Sequence, residues 1–407
     1  MGCGSVFQKL VSHNDAIRRL VEKGFAVGFD SHYLIVRDIP YLDDKRALQW
    51  GAFVTKLVFT DPEHVIQEDH QVFFTGSHPY NLDGKPIANL GGGTTSLALS
   101  PAASDVVVQR QFSNKPRVNG ELVGFPDFFA KIESYTGIIA GPAMSLHGAN
   151  PYTFRSVEEV ADNAIFKIQD TMTSRAEITD LSDKLKNEIV AIIGLGGTGA
   201  YLLDFLVKSW VNEIRGFDRD LFHVHNAYRS PGKLDGAEFN KSKAEVYQAR
   251  YDNFRNGLSL QAKYIDASSV EELEGVTFAF VCVDKGSSRS GIFDLLIAKK
   301  IPFIDVGMGL NRKNGALNGQ LRVTYYSVEN AQAQRDLARA EMSDRPDEEY
   351  RTNIQIGELN AMNAVLAIMK FKQLKGFYFD EEPTSHMLFE IADHKIVSNP
   401  YAGADET

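Results

Sequence analysis

Ile192-Ile193-Gly194-Leu195-Gly196-Gly197-Thr198-Gly199 closes an apolar run that begins at Ile189, and a helix-like segment follows it. Strand, glycine-rich turn and helix in that order make a phosphate cradle. Glycines let the chain turn sharply off the strand, bring backbone N–H groups close to a nucleotide's phosphates, and aim a helix N-terminus at their charge. Gly194, Gly196, Gly197 and Gly199 are therefore the first candidate nucleotide-binding residues. One such match is a weak signal. Its weight comes from the series behind it: Asp218, Asp220, Asn226, Arg229, Lys243 and Asp284.

Outward from this turn the chain alternates between strand and helix. Strands are expected at Ile189, near Ile214, around Lys263, around Phe278 and over Pro302 to Val306. Helices are expected after Thr198, over Lys241 to Phe254 and over Ser288 to Lys300. This pattern predicts an α/β fold, a Rossmann-like doubly wound, mainly parallel sheet covered by helices. A strand over Leu321 to Tyr326, an apolar-faced helix over Gly357 to Leu374, and strands over Met387 to Ile391 and Lys395 to Val397 close it.

Upstream the character differs. Short β-type segments recur at Tyr33 to Val36, Phe53 to Phe59, Gln71 to Thr75, Ser96 to Ser100 and Asp105 to Phe112. Helices are expected over Ala16 to Glu22 and Pro126 to Tyr135. This half reads as an α+β, β-rich accessory domain. The expected organisation is an accessory domain over 1–155, a helical connector over 156–187 with helices at Val157 to Ile168 and Glu177 to Lys186, and the nucleotide-binding domain over 188–400. Two domains suit 407 residues.

Composition narrows the function. With 43% hydrophobic and 24% charged residues the chain has ample material for cores. A formal charge of −10 argues against non-specific nucleic-acid or anionic-membrane binding, which depend on Lys and Arg. No apolar run reaches the roughly 20 residues that span a bilayer, and the start lacks a basic segment leading into an apolar signal, so a cytoplasmic protein is expected. The opening Met1-Gly2-Cys3-Gly4-Ser5-Val6 departs from a myristoylation pattern at Val6. Two cysteines, Cys3 and Cys282, cannot build a disulfide framework or a four-cysteine zinc site, so no zinc is expected.

The segment Phe217-Asp218-Arg219-Asp220-Leu221-Phe222-His223-Val224-His225-Asn226-Ala227-Tyr228-Arg229 carries more than a dinucleotide fold needs. Asp218 alone would suit a ribose in an NAD enzyme, but that reading leaves Arg229, Lys243 and Asp284 unexplained. The segment resembles the Asp-x-Asp-x-Val-x-x-Ser-Asn-Leu-x-Arg signature of the ThiF/MoeB and ubiquitin-activating superfamily, with His225 in place of its Ser. Lys243 resembles that family's helix lysine, and Val283-Asp284-Lys285-Gly286-Ser287-Ser288-Arg289 resembles its Thr-Asp-Asn-x-x-x-Arg turn. The resemblance covers about Arg175 to Val397.

It implies an ATP- and Mg²⁺-dependent adenylyltransferase that activates the C-terminal carboxylate of a ubiquitin-like protein and releases pyrophosphate. Arg229, Lys243 and Asp284 would be catalytic, with Asp284 also the metal ligand. The four glycines, Asp218, Asp220, Asn226 and Arg175 would bind nucleotide. Arg175 resembles an arginine lent to a partner subunit, which implies a homodimer. The attached N-terminal domain resembles bacterial proteins of ubiquitin-like conjugation systems, some of them in antiviral defence, where it would recruit the modifier or a conjugating enzyme. The competing readings are a catalytically silent binding module and adenylation of another peptide or small carboxylate. For single residues, a helix N-cap role for Asp284 and solvated charges for Arg229 and Lys243 compete.

The family's cysteine is missing. Cys282 lies in the apolar run Phe278 to Val283 and reads as a core residue rather than a nucleophile. Either the adenylate passes to a partner's nucleophile, or a hydroxyl attacks it and an oxyester forms. Ser343 and Thr352 are the candidate hydroxyls, with surface solubility as their competing role. His64, His70 and His78 lack the spacing of a ligand pair and read as scattered loop histidines.

Overall fold

Residues 26–59 set the frame of the first unit, in a computed structural model that describes residues 3–157, 164–168, 170–343 and 354–400. The chain divides into two units, Met1–Asp180 and Leu181–Thr407. In the first, helices α1 (Cys3–His13) and α2 (Asp15–Lys23) precede strands β1 (Ala26–Asp30), β2 (Tyr33–Leu42), β3 (Leu48–Phe59), β4 (Val65–Gln67), β5 (Val72–Thr75), β6 (Gly93–Thr94) and β7 (Val108–Phe112). These pair antiparallel in the order β1-β2-β3-β5-β7-β6, with β4 on β3. A small ribbon, β8 (Arg117–Val118) with β9 (Glu121–Leu122), leads to α3 (Phe128–His147), and α4 (Thr171–Arg175) follows.

Helix α3 runs well past the expected Tyr135. Ile132, Tyr135, Ile139, Ala140 and Ala143 continue one apolar face and are all buried, so packing carries the helix through Pro142. Lys131 on the same helix is fully buried, donating to Thr55 Oγ1 at 2.7 Å and the Asp69 carbonyl at 3.0 Å, and burial pushes its ammonium down to about 8.

Two expectations fail in this unit. The segment Ser96 to Ser100 pairs with no strand: Leu97 and Leu99 pack part-buried on a small cluster around Ile35 and Val54, while the Ser100 N–H goes to the Asp30 carboxylate at 2.8 Å. The expected helix from Val157 to Ile168 falls partly outside the described residues. Within them, residues 164–168 are not helical, and Ile168 pairs with Arg155 in a bridge.

The second unit follows α5 (Thr179–Asp183). Its elements are β10 (Ile189–Ile193), α6 (Gly197–Val207), β11 (Glu213–Phe217), α7 (Val224–Ala227), α8 (Lys243–Tyr251), β12 (Leu258–Gln261), β13 (Phe278–Val281), α9 (Gly286–Ala298), β14 (Phe303–Lys313), β15 (Ala316–Tyr326), α10 (Ala331–Asp336), α11 (Gly357–Leu374), β16 (Thr384–Glu390) and β17 (Lys395–Pro400). The sheet order is β12-β11-β10-β13-β14-β15-β16-β17. The first five strands are parallel and the last three antiparallel. The chain leaves β10 toward β11 and β12, then crosses to β13 on the other side, so strand order reverses at β10.

Val190, Ala191 and Ile192 are fully buried, as a central strand covered on both faces requires. Arg255 ties the end of α6 to the start of β11 by donating to the carbonyls of Leu206 at 3.3 Å, Ser209 at 3.2 Å and Asn212 at 3.0 Å. Strand β14 runs seven residues beyond the expected Val306, because Gly307 and Gly309 lie inside a long hairpin with β15. Among the described residues no helix is long and apolar enough to cross a membrane.

Candidate nucleotide site

The loops leaving the C-terminal ends of β10, β11 and β13 meet where strand order reverses, the position at which open α/β sheets bind ligands. Gly194 opens the first loop in the left-handed region at φ +97°, with its N–H on the Phe217 carbonyl at 2.9 Å. A Cβ there would stand 2.6 Å from the Cys282 carbonyl oxygen. At Gly199 it would stand 1.9 Å from the Gly194 carbonyl, and at Gly197 2.4 Å from the Asn360 carboxamide. At Gly196, the residue before α6, it would meet nothing within 4 Å. Three glycines thus let the turn close against its neighbours. Gly196 faces open space.

The second loop is braced by Asp218. Its carboxylate accepts from the Leu195 N–H and the Asp220 N–H, both at 2.8 Å, so it ties the glycine turn to β11 while only 8% exposed. Lys243 Nζ reaches it at 3.2 Å and Asp220 at 2.8 Å. Lys243 is the first residue of α8 and is held there by a capping box: the Ser242 hydroxyl accepts from the Glu245 N–H and the Glu245 carboxylate from the Ser242 N–H. Burial opposes the charge on Asp220, but the bond to Lys243 prevails and holds its carboxyl below the usual range. The Asp220 side chain remains 58% exposed.

Asn226 is buried, and its Oδ1 accepts the His223 N–H at 2.8 Å, so it shapes the loop from within. Its carbonyl accepts the Arg229 N–H at 3.1 Å. Arg229 Nε is buried and has no hydrogen-bond partner among the described residues. His225 is depressed first by burial and then by the charges of Arg229, His223 and Lys243, which puts these groups in one field.

Asp284 follows β13 and borders a cavity of about 600 Å³ with Gly196, Gly197 and Thr198. It is exposed and accepts from Gln355 Nε2 at 3.2 Å. The N-cap alternative for Asp284 does not hold, because α9 is preceded by Lys285 and no side chain caps it. Asp218, Asp220, Arg229 and Lys243 do not line this cavity. The named residues therefore form two groups flanking the glycine turn.

Asp305 and Arg322 escaped the sequence reading. Asp305 is fully buried, accepts from Arg289 Nε at 3.0 Å and from Arg322 Nη2 at 2.5 Å, and both arginines line the cavity. Arg322 also donates to Thr324 Oγ1 at 3.0 Å, which contacts His386 Nδ1 at 2.9 Å. Burial, with Arg339 and Arg322 nearby, pushes His386 down to about 4. A carboxylate between Ile304 and Val306 in a buried strand was the available signal, since such a group requires a partner.

Cys282 lines the cavity rather than filling the core, a correction to the sequence reading. Desolvation, then Asp305 and Asp284, push its thiol well above the usual value, so it stays protonated. The Ser343 backbone lies against Gly286 at the start of α9, and Thr352 lies outside the described residues. Arg175 ends α4 in the first unit, beside a recess of about 310 Å³ bordered by Val21, Phe25 and Phe154. His64, His70 and His78 have separate partners: Asp61, the Ser113 hydroxyl and the Ile87 carbonyl.

ATP and Mg²⁺ fit this donor set. The open face at Gly196 leaves room for phosphates, and the buried Arg229 Nε is a donor without an acceptor among the described residues. Among the described residues no group of three or more His, Cys, Asp or Glu could hold a metal ion. A cation at Asp284 would therefore share its shell with phosphates and water, the usual arrangement for Mg²⁺.

A doubly wound sheet with this turn after its first strand and an acidic brace after its second defines a Rossmann-like nucleotide-binding domain. The sequence model of the ThiF family matches residues 170–392, more than half of the chain, which belongs to that family. A second model, described as a domain of unknown function (DUF6791), matches residues 15–171. No curated protein matches the sequence. Among solved structures, E. coli MccB with MccA-N7isoAsn is similar at 18% identity and TM-score 0.41, over 54% of this chain and 66% of that one. E. coli MccB with ATP is similar at 17% and 0.40 over 54% and 66%, and selenomethionine PaaA at 16% and 0.40 over 55% and 75%. The chain thus spans just under two thirds of the MccB chains.

Proposed function

We propose that the second unit adenylates the C-terminal carboxylate of a ubiquitin-like protein, using ATP and Mg²⁺. The observation that carries this reading is the open glycine cradle and the exposed Asp284 carboxylate on one cavity, in a chain of the ThiF family. A terminal carboxylate has a pKa near ~3.5 and is already an anion at neutral pH, so no general base is needed. The obstacle is repulsion between that anion and a polyphosphate. Mg²⁺ at Asp284 would offset phosphate charge, and Arg229, free of an acidic partner among the described residues, would stabilise what develops on the leaving group.

In this scheme a carboxylate oxygen bonds to the α-phosphorus. The bond from the α-phosphorus to the bridging oxygen breaks, and pyrophosphate leaves with the electron pair. Lys243 holds Asp218 and Asp220 in place, and exchanging Asp220 for a phosphate oxygen would release Asp220 toward ribose hydroxyls. With the Cys282 thiol protonated, the acyl group would go to a partner's nucleophile or to a hydroxyl such as Ser343 or Thr352. By the same reading the chain works as a homodimer sharing Arg175, in a bacterial ubiquitin-like conjugation pathway. Its first unit would recruit the modifier or a conjugating enzyme.

The test is ATP–pyrophosphate exchange with candidate ubiquitin-like proteins. Exchange that depends on the added protein and falls at least about a hundredfold in Asp284→Asn and Arg229→Gln supports the reading. Tight ATP binding without exchange for any candidate would turn the assignment toward a silent binding module.

A further inference from the structure

The wall of the cavity contributed by α11 and β14 carries an acceptor that meets no donor among the described residues. Asn363 is 1% exposed and lines the cavity. Its Nδ2 donates to the Gly307 carbonyl at 3.1 Å, which fixes the orientation of the carboxamide because a carbonyl oxygen can only accept. Oδ1 is therefore the other atom, and it is buried with no hydrogen-bond partner among the described residues. Leaving a buried acceptor unsatisfied is costly, so such a group in a native structure calls for a partner or a role.

The neighbouring wall is cationic. Arg289 and Arg322 share a single buried carboxylate, Asp305, so the trio keeps one positive charge at the cavity. The Arg322 guanidinium packs against Gly307, its partner in the hairpin, where a Cβ would stand 2.7 Å from Nη2. It is pinned by Asp305 and Thr324. Among the described residues the acidic groups lining the cavity are Asp284 and Glu341, the first already assigned to Mg²⁺. An acceptor beside a fixed cation suits a ligand that presents an N–H close to an anion. The end of a polypeptide is such a ligand, and a simple small acid is not.

We propose that Asn363 and Arg322 clamp the last peptide unit of the substrate, Asn363 Oδ1 accepting its N–H and Arg322 drawing in the terminal carboxylate. This rests on the adenylation reading and names the two residues by which the site would tell a polypeptide C-terminus from an amide-free small carboxylate. Both are positioning residues: the acceptor fixes the line of the chain, and the cation sets the depth of the carboxylate.

The test is isothermal titration of the full chain loaded with Mg²⁺ and a non-hydrolysable ATP analogue. The probes are acetyl-Gly-Gly, the same peptide N-methylated at its last peptide nitrogen, and propionate. Wild type is expected to bind acetyl-Gly-Gly about tenfold more tightly than the methylated peptide, the effect of one uncharged hydrogen bond, with propionate weaker still. Asn363→Ala should lose that discrimination, whereas Arg322→Gln should weaken both peptides equally and keep it. Equal binding of the two peptides by wild type, discrimination retained in Asn363→Ala, or a peptide no tighter than propionate overturns the clamp. The wild-type comparison stands even if a variant misfolds. Exchange with a protein substrate would then still support adenylation, whereas failure to bind the nucleotide analogue would remove both claims.

Discussion

Replacing Lys243 by methionine keeps most of the aliphatic stem and deletes the charge that sits between Asp218 and Asp220. The two aspartates should respond unequally. Asp220 is 58% exposed, so water takes over its solvation, and an exposed pair is worth roughly 0–1 kcal/mol. Asp218 is 8% exposed and keeps its two backbone donors but loses its counter-ion. Breaking a buried pair costs about 3–5 kcal/mol, and the retained backbone bonds argue for the lower end, about 3 kcal/mol. At about 2–4 °C per kcal/mol for a domain of this size, the second unit should melt about 6–12 °C lower. The chain has two tryptophans, the exposed Trp50 in the first unit and the buried Trp210 in the second. In a Trp50→Phe background, urea unfolding followed by tryptophan fluorescence therefore reports the second unit alone. Asp220→Asn in the same background should cost under about 1 kcal/mol. If Lys243→Met costs no more than Asp220→Asn, Lys243 is not the counter-ion that holds Asp218 in the second loop.

The glycine turn separates binding from folding. Gly196→Ala should leave the melting temperature within about 2 °C and weaken ATP at least about tenfold by calorimetry, because its Cβ meets only open space where phosphates would lie. Gly199→Ala places a Cβ 1.9 Å from the Gly194 carbonyl and should destabilise the unit by about 1–3 kcal/mol or more in the same denaturation assay. His386 predicts a pH dependence. Burial holds it at about 4, below its unfolded value of about 6.5, so the fold excludes a proton that the unfolded chain takes up. Its contribution is intact above about pH 6.5 and is lost as pH falls toward about 4, up to about 3 kcal/mol, and His386→Gln should flatten that part of the stability profile.

The second unit was legible because each βα step carries its own signal: an apolar strand, a glycine or polar turn, and an amphipathic helix. Gly357–Leu374 has the expected bounds. The β14–β15 hairpin was underread, because Gly307 and Gly309 disfavour a strand in isolation. In the fold Gly307 makes room for the Arg322 guanidinium, and Gly319 approaches the Gly309 carbonyl where a Cβ would stand 2.0 Å away. Helix α3 was cut short at Tyr135, since tertiary burial decides how far a helix persists past a proline. In the site, the ordered series named the loop residues but not their division of labour. The sequence pattern does not distinguish an exposed Asp284 from a braced Asp218. Asn363 and Arg322 carry no motif, and only the cavity brings them together.

Following oxygen from carboxylate to nucleotide reveals whether the terminal carboxylate bonds to the α-phosphorus. A candidate ubiquitin-like protein carrying heavy oxygen in its C-terminal carboxylate is incubated with ATP, Mg²⁺, the full chain and an excess of hydroxylamine, and the AMP released is weighed by mass spectrometry. Adenylation predicts one labelled oxygen in that AMP, since the carboxylate oxygen that attacked the α-phosphorus leaves with it. Unlabelled AMP, or ADP in its place, would mean that the terminal carboxylate never bonded to the α-phosphorus and would contradict the proposed reaction.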